Sequence, residues 1–310
     1  MMAADADFSA GRLRRVLDAG RFAITAEITP PATLAASFLL DKALPLKGRA
    51  DAVNLTDGAS ARAALSPVAA AALLVQAGMD PVLQLTCRDR NRIALQGDLM
   101  AAAAFGVRNL LLLTGDDPKA GDQPETKPVF DITSAALMQT ARGLRDDAEL
   151  PNGRKVTGTA DFFLGGADAP VDPKPGWEPK SLAAKSAGGM QFAQTQFCMD
   201  LDVVRRYVAA LDAAGLGGKF HLLIGIAPLA SARSARWMRD NLFGTIIPDA
   251  YVERMEAAAD PKAEGRAIAV ELLRGLAAIK GVAGAHIMAP LNEASIPAVI
   301  EAVPDIRRAR

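Results

Sequence analysis

The sequence predicts an α/β chain closed into a (β/α)8 barrel, the TIM-barrel architecture, and three observations carry that reading. Eight short apolar runs of strand length alternate with longer segments of helical period. The runs are apolar throughout rather than alternating, as strands covered on both faces are. No GxGxxG follows the first run, so a doubly wound open sheet lacks its usual signal. The chain has 310 residues, half of them hydrophobic, enough for one large core. A single barrel domain over residues 1–310 is expected, with an N-terminal helical extension at residues 1–20 and extended loops on the C-terminal face.

The strands are expected at Phe22–Ile28, Ala52–Leu55, Val82–Leu85, Asn109–Leu113, Val156–Phe162, Phe192–Gln196, His221–Ile226 and Gly284–Met288. Helical period marks Pro67–Ala77, Leu95–Ala104, Ser134–Leu144, Leu201–Ala213, Ala230–Asn241 and Ala263–Ile279. Gly78, Gly106 and Gly281 follow three of these segments, where a helix C-terminus takes glycine. Gly115–Asp131 and Leu164–Ser181 are rich in Pro, Gly and Asp and have no period. Both follow predicted strands, and long loops on that face carry function in barrels.

Formal net charge is zero, with no run of like charges, which gives no footprint for nucleic acid or a membrane surface. No apolar stretch has the length of a membrane span, and the N-terminus lacks an apolar signal core, so a cytoplasmic protein is expected. Cys87 and Cys198 form no CxxC and read as small buried hydrophobes. His221 and His286 are the only histidines, which argues against a His-rich metal site and a Ser-His-Asp hydrolase. His286 reads as a core histidine with a hydrogen-bonded partner.

In a barrel, side chains at the C-terminal ends of the strands converge on one mouth. Here they are Glu27 and Thr29; Thr56, Asp57 and Ser60; Gln84, Thr86 and Arg88; Thr114, Asp116 and Asp117; Asp161; Gln194 and Gln196; and Asn292. A polar ring without His or Cys suits a polyfunctional heterocycle better than a catalytic metal. Glu27 is a charge inside the apolar run FAITAEI. It is either the partner of a cation such as Arg88 or Arg92, or an acid that apolar surroundings keep ready to donate a proton.

The motifs TAE…PP (from Thr25), VNLTDGASA (from Val53), LQLTCRDRN (from Leu83), LLLTGDDP (from Leu111) and QTQ (Gln194–Gln196) follow one another, one per strand. Together they resemble the methylenetetrahydrofolate reductase family, in its short bacterial, flavin-dependent form, from Phe22 to Asn292. The resemblance implies FAD as cofactor and interconversion of 5,10-methylenetetrahydrofolate and 5-methyltetrahydrofolate, in one-carbon metabolism and methionine biosynthesis. Glu27 matches the family's catalytic acid, and Asp116 the aspartate that tunes the flavin. Thr56 matches a flavin-contacting threonine, Lys185 a basic residue near the flavin's ribityl chain or phosphates, and Gln196 the pterin-contacting glutamine. Asp57, Gln84, Thr114 and Gly115 fall in the same implied cofactor site, and Ser234, Met238 and Asn292 in the implied substrate site. The chain departs from the enterobacterial form at Asp57, Gln84 and Thr114, where that form has an aromatic residue, histidine and arginine. Ser234 and Met238 stand where it has glutamine and phenylalanine. These departures leave the electron donor open between NAD(P)H and a protein. Two competing readings are a pterin-dependent methyltransferase-like barrel and a reductase subunit that needs a protein donor. The implied chain could form a homo-oligomer.

Overall fold

The computed structural model describes residues 11–306. Within the expected N-terminal extension, Arg12–Asp18 form helix α1, while residues 1–10 lie outside the described residues. Eight parallel strands follow: β1 (Ala23–Ile28), β2 (Ala52–Leu55), β3 (Pro81–Thr86), β4 (Asn109–Leu113), β5 (Phe163–Asp168), β6 (Phe192–Phe197), β7 (His221–Ile226) and β8 (Val282–Ile287). Each pairs with the next, and β8 pairs with β1 to close the barrel. Outer helices are α2 (Ala36–Ala43), α3 (Pro67–Gln76), α4 (Arg92–Ala104), α5 (Ser134–Asp146), α6 (Lys180–Ala187) and α7 (Leu201–Ala213). Between β7 and β8 lie α8 (Ala232–Asn241), α9 (Asp249–Ala257) and α10 (Pro261–Ala277), and α11 (Ile296–Glu301) follows β8. No helix among the described residues is long and apolar enough to cross a membrane.

The helices begin where the sequence supplies caps. Asn91, Thr133, Asp200 and Asp260 each accept a hydrogen bond from a first-turn backbone N–H, of α4, α5, α7 and α10. Such a cap contributes about 1 kcal/mol. The caps at Asn91, Thr133 and Asp200 follow β3, β4 and β6 and set helix starts around the mouth, while Asp260 follows α9.

The fifth strand corrects the sequence reading. It runs over Phe163–Asp168, not Val156–Phe162. Asp161 therefore precedes the strand and lies at the opposite end of the barrel, 3.2 Å from Arg14 and 3.6 Å from Arg108. The expected loop Leu164–Ser181 begins inside β5 and ends in α6. Gly165-Gly166 caused the misreading, because glycine is depleted in strands. The lumen requires it: a Cβ on Gly165 would sit 2.2 Å from Phe192 Cζ. The Phe192 ring fills that space and stacks on Phe163 at 5.0 Å.

Two apolar clusters result. The larger lies between sheet and helices. The smaller joins Ala23, Ala52, Val82, Leu111, Phe163, Phe192 and Leu223 with Leu13, Val16 and Leu17 of α1. It is the apolar lumen floor, and α1 seals it from below. Burying each large side chain there contributes about 1.5–3 kcal/mol.

Candidate active site

One layer above this floor the lumen turns polar. Asn54 of β2 and Gln194 of β6 face each other as a reciprocal amide pair. Asn54 Nδ2 donates to Gln194 Oε1 at 2.6 Å, and Gln194 Nε2 donates to Asn54 Oδ1 at 3.1 Å. Gln194 Nε2 also lies 2.9 Å from Thr25 Oγ1 and 3.4 Å from His286 Nδ1. Thr25 Oγ1 lies 3.0 Å from His286 Nδ1. All four residues are buried, so each group depends on the others for partners.

The network ends on Glu27. Its Oε2 accepts from Gln84 Nε2 at 2.8 Å, and His286 Nε2 stands 3.4 Å from the same oxygen. The Glu27 side chain is 20% exposed, so it sits at the boundary between lumen and mouth. Its surroundings are polar rather than apolar. Neither suggested cation reaches it: Arg88 pairs with Asp89 at 2.7 Å, and Arg92 with Asp131 at 2.7 Å. Glu27 is therefore held by two neutral-capable side chains, and one of its oxygens is left to the mouth.

On the next two strands the loops cross. Asp57 Oδ2 accepts from Thr86 N at 2.7 Å and Thr86 Oγ1 at 2.9 Å, and pairs with Arg90. Its charge serves to tie β2 to the end of β3. Asp116 is exposed and accepts from Ser60 N at 3.1 Å. Thr114 Oγ1 lies 3.4 Å from Ser134 Oγ. Gly115 takes φ +97, a left-handed conformation that glycine tolerates, with Arg88 and Thr86 closing on its Cα. Ser60 and Ala61 also have positive φ, 54 and 53, where a side chain costs about 1–2 kcal/mol. Strain of this kind gathers at functional loops. Thr56 Oγ1 is buried at the end of β2 with no hydrogen-bond partner among the described residues. A buried hydroxyl without a partner at the mouth suits a ligand's polar atom.

Across the mouth, α6 brings Lys185 over the end of β5. Its Nζ donates to the Ala167 carbonyl. Asp168 accepts from the Tyr207 hydroxyl, and Trp177 packs on Tyr207 at 5.7 Å between ring centroids. Burial pushes the Asp168 carboxyl above its ordinary value, against the pull of Tyr207 and Lys185. Burial also pulls the Lys185 ammonium down, opposed by Asp168. Asp168 was missed because the strand carrying it was read as a loop.

Gln196 sits at an irregularity in the β6–β7 pairing between Gln194 and Phe197. Such bulges re-aim side chains beside active sites. Gly225 permits it: a Cβ there would lie 2.3 Å from the Thr195 carbonyl oxygen and 2.7 Å from that of Gln196. Gln196 Oε1 accepts from Phe197 N at 3.0 Å.

The remaining sequence candidates make contacts within the fold. Ser234 closes a capping box with Ser231 at the start of α8. Met238 is 7% exposed and belongs to the apolar core. Asn292 Nδ2 donates to the Pro228 carbonyl at 3.3 Å.

Three comparisons bear on this arrangement. In solved structures, the chain is similar to an uncharacterized protein from Clostridium thermocellum that binds two copies of 5-methyl-5,6,7,8-tetrahydrofolic acid. That match has a TM-score of 0.63 and 12% identity, and covers 95% of this chain and 98% of the other. DmoA from Hyphomicrobium sulfonivorans matches with a TM-score of 0.56 and 9% identity, over 91% of this chain and 86% of that one. At these identities the two structures establish the fold alone. Methylenetetrahydrofolate reductase 1 of Schizosaccharomyces pombe is 25% identical over 271 residues, which is 82% of this chain and 41% of that protein. The chain thus spans less than half the length of that relative. The profile of the family described as methylenetetrahydrofolate reductase matches residues 12–304, from α1 to beyond α11, and the chain belongs to that family.

Proposed function

We propose that the chain is an oxidoreductase that uses a bound flavin, FAD, to interconvert 5,10-methylenetetrahydrofolate and 5-methyltetrahydrofolate, with Glu27 as proton donor. The carrying observation is Glu27 itself: a carboxyl at the lumen–mouth boundary, paired among the described residues with neither lysine nor arginine and held by Gln84 and His286. Family membership and the folate bound by the Clostridium protein supply the substrate class.

The flavin's site is supported by the orphaned Thr56 hydroxyl and by Lys185, whose ammonium is drawn over β5 beside Asp168. These groups suit a polar, anionic ligand. A reduced flavin supplies the hydride that the methylene carbon accepts. The chain's own work is proton control and position. Glu27 gives its proton to N10 of the folate. The N10–methylene bond then breaks, its electron pair stays on N10, and an N5 iminium is left to receive the hydride. Gln84 holds Glu27 Oε2, while the Thr25–Gln194–Asn54 network fixes His286 next to the same oxygen. Gln196, able to donate and accept at once, reads the amide-like edge of the pterin. Asp116 is the carboxylate that favours the cationic iminium, its loop tied to Ser60 N. The cytoplasm is the proposed location, and methyl supply for methionine biosynthesis the proposed use.

Ser234 and Met238 are engaged in a cap and in the core. This favours a donor that does not stack on α8, a protein or a nicotinamide seated elsewhere. The test is anaerobic. The purified chain is loaded with FAD, freed of excess, reduced chemically and mixed with methylenetetrahydrofolate. Reoxidation of the flavin absorbance is the expected result. Failure to retain FAD, or bound flavin that ignores the folate, rejects the reading.

A further inference from the structure

The end of the barrel opposite the mouth holds a cleft of about 840 Å³, formed by α1 and the segments entering β1 to β4. Small-molecule sites typically measure about 300–1,000 Å³. Five cations line the cleft: Arg12 and Arg15 of α1, Arg21 before β1, Lys47 before β2 and Arg108 before β4. Two carboxylates line it as well, Asp51 and Asp80, and both are engaged inside the fold. Asp51 accepts from Ile24 N at 2.9 Å and pairs with Arg12 at 3.2 Å. Asp80 accepts from Leu13 N at 3.0 Å and Asn109 Nδ2 at 2.9 Å. Arg108 faces Asp161 at 3.6 Å.

Arg15, Arg21 and Lys47 remain, and among the described residues none has a carboxylate within 4.0 Å. Among the described residues Lys47 Nζ donates to the Ala77 carbonyl, at 2.7 Å. Beside them the half-buried side chains of Val75 and Met79 form an apolar wall. Unmatched positive charge in a concavity attracts anions, and guanidinium groups match the geometry of phosphate oxygens. The wall adds affinity for an apolar body.

We propose that this cleft is a second binding site, separate from the barrel mouth, for a phosphate monoester with an apolar or aromatic body. Arg15, Arg21 and Lys47 hold the phosphate, and the Val75–Met79 wall receives the body. The proposal is independent of the chemistry assigned to the mouth, because α1 and the lumen floor lie between the two.

The test is calorimetric titration of the full chain with phenyl phosphate, with inorganic phosphate and phenol as separate arms. Phenyl phosphate is expected to bind with a Kd below about 1 mM at low salt. Arg15→Gln with Arg21→Gln is expected to weaken it by about tenfold or more, and Lys47→Gln alone to weaken it too. The second variant lies outside α1 and keeps the test decisive if the first folds poorly. No binding to wild type overturns the proposal, as does an affinity that both variants leave unchanged. Equal affinity for inorganic phosphate overturns the part assigned to the apolar wall.

Discussion

Replacement of Gln194 by leucine isolates the polar network that supports Glu27. In the wild-type protein Gln194 satisfies both ends of the Asn54 amide, at 2.6 and 3.1 Å, and Asn54 is fully buried. Leucine fills similar space but leaves Asn54 Nδ2 and Oδ1 with no partner. An orphaned buried polar group costs about 1–3 kcal/mol, so two orphans predict a loss of about 2–6 kcal/mol. Asn54→Leu should cost a comparable amount, since it strands Gln194. The double variant removes both partners together and should be more stable than the sum of the singles by about 1–3 kcal/mol. Urea denaturation of wild type, the two singles and the double variant measures the cycle. Costs that add within about 0.5 kcal/mol would refute a coupled amide pair, because independent sites add in that way. A loss below about 0.5 kcal/mol for Gln194→Leu would refute the burial argument itself.

Other consequences follow from single contacts. Gly165→Ala should destabilise the barrel by about 1–3 kcal/mol, because the new methyl meets the Phe192 ring at 2.2 Å. Phe192→Leu in the same background should return part of that loss in the same denaturation assay. Burial pushes the Cys87 thiol up to about 11 and the Cys198 thiol up to about 12. Neither is a thiolate at about pH 8, so thiol reagents should label both only upon unfolding, as mass spectrometry would read. Burial also holds the Asp80 carboxyl above its ordinary 3.8. Its contribution to stability is present below that value and lost as pH rises through the higher folded one. Asp80→Asn should therefore gain on wild type as pH rises above about 3.8, and a difference that stays flat with pH would contradict the assignment.

Much of the barrel is legible in sequence because its signals are local. Seven strands lie at the predicted runs, and α3, α4, α5, α7, α8 and α10 at the periodic segments. The fifth strand was hidden by Gly165-Gly166, whose need arises from Phe192, a residue of another strand. Glu27 stood out because a charge interrupts an apolar run. Its true neighbours did not: Gln84 is 57 residues away, and His286 meets it only through closure of β8 on β1. Asn54 and Gln194 are 140 residues apart, and no spacing rule pairs them across a lumen. Ser234 and Met238 follow from position relative to a distant form, and in the structure they stand as a cap and a core residue.

The most direct test of the account is the rate at which methylenetetrahydrofolate reoxidises the reduced, FAD-loaded chain, in wild type and in Glu27→Gln. General acid help is typically worth about a hundredfold to ten-thousandfold. The account predicts a loss of that size in the variant with FAD retention unchanged. A Glu27→Gln chain that reoxidises at the wild-type rate would remove Glu27 from the chemistry and contradict the account.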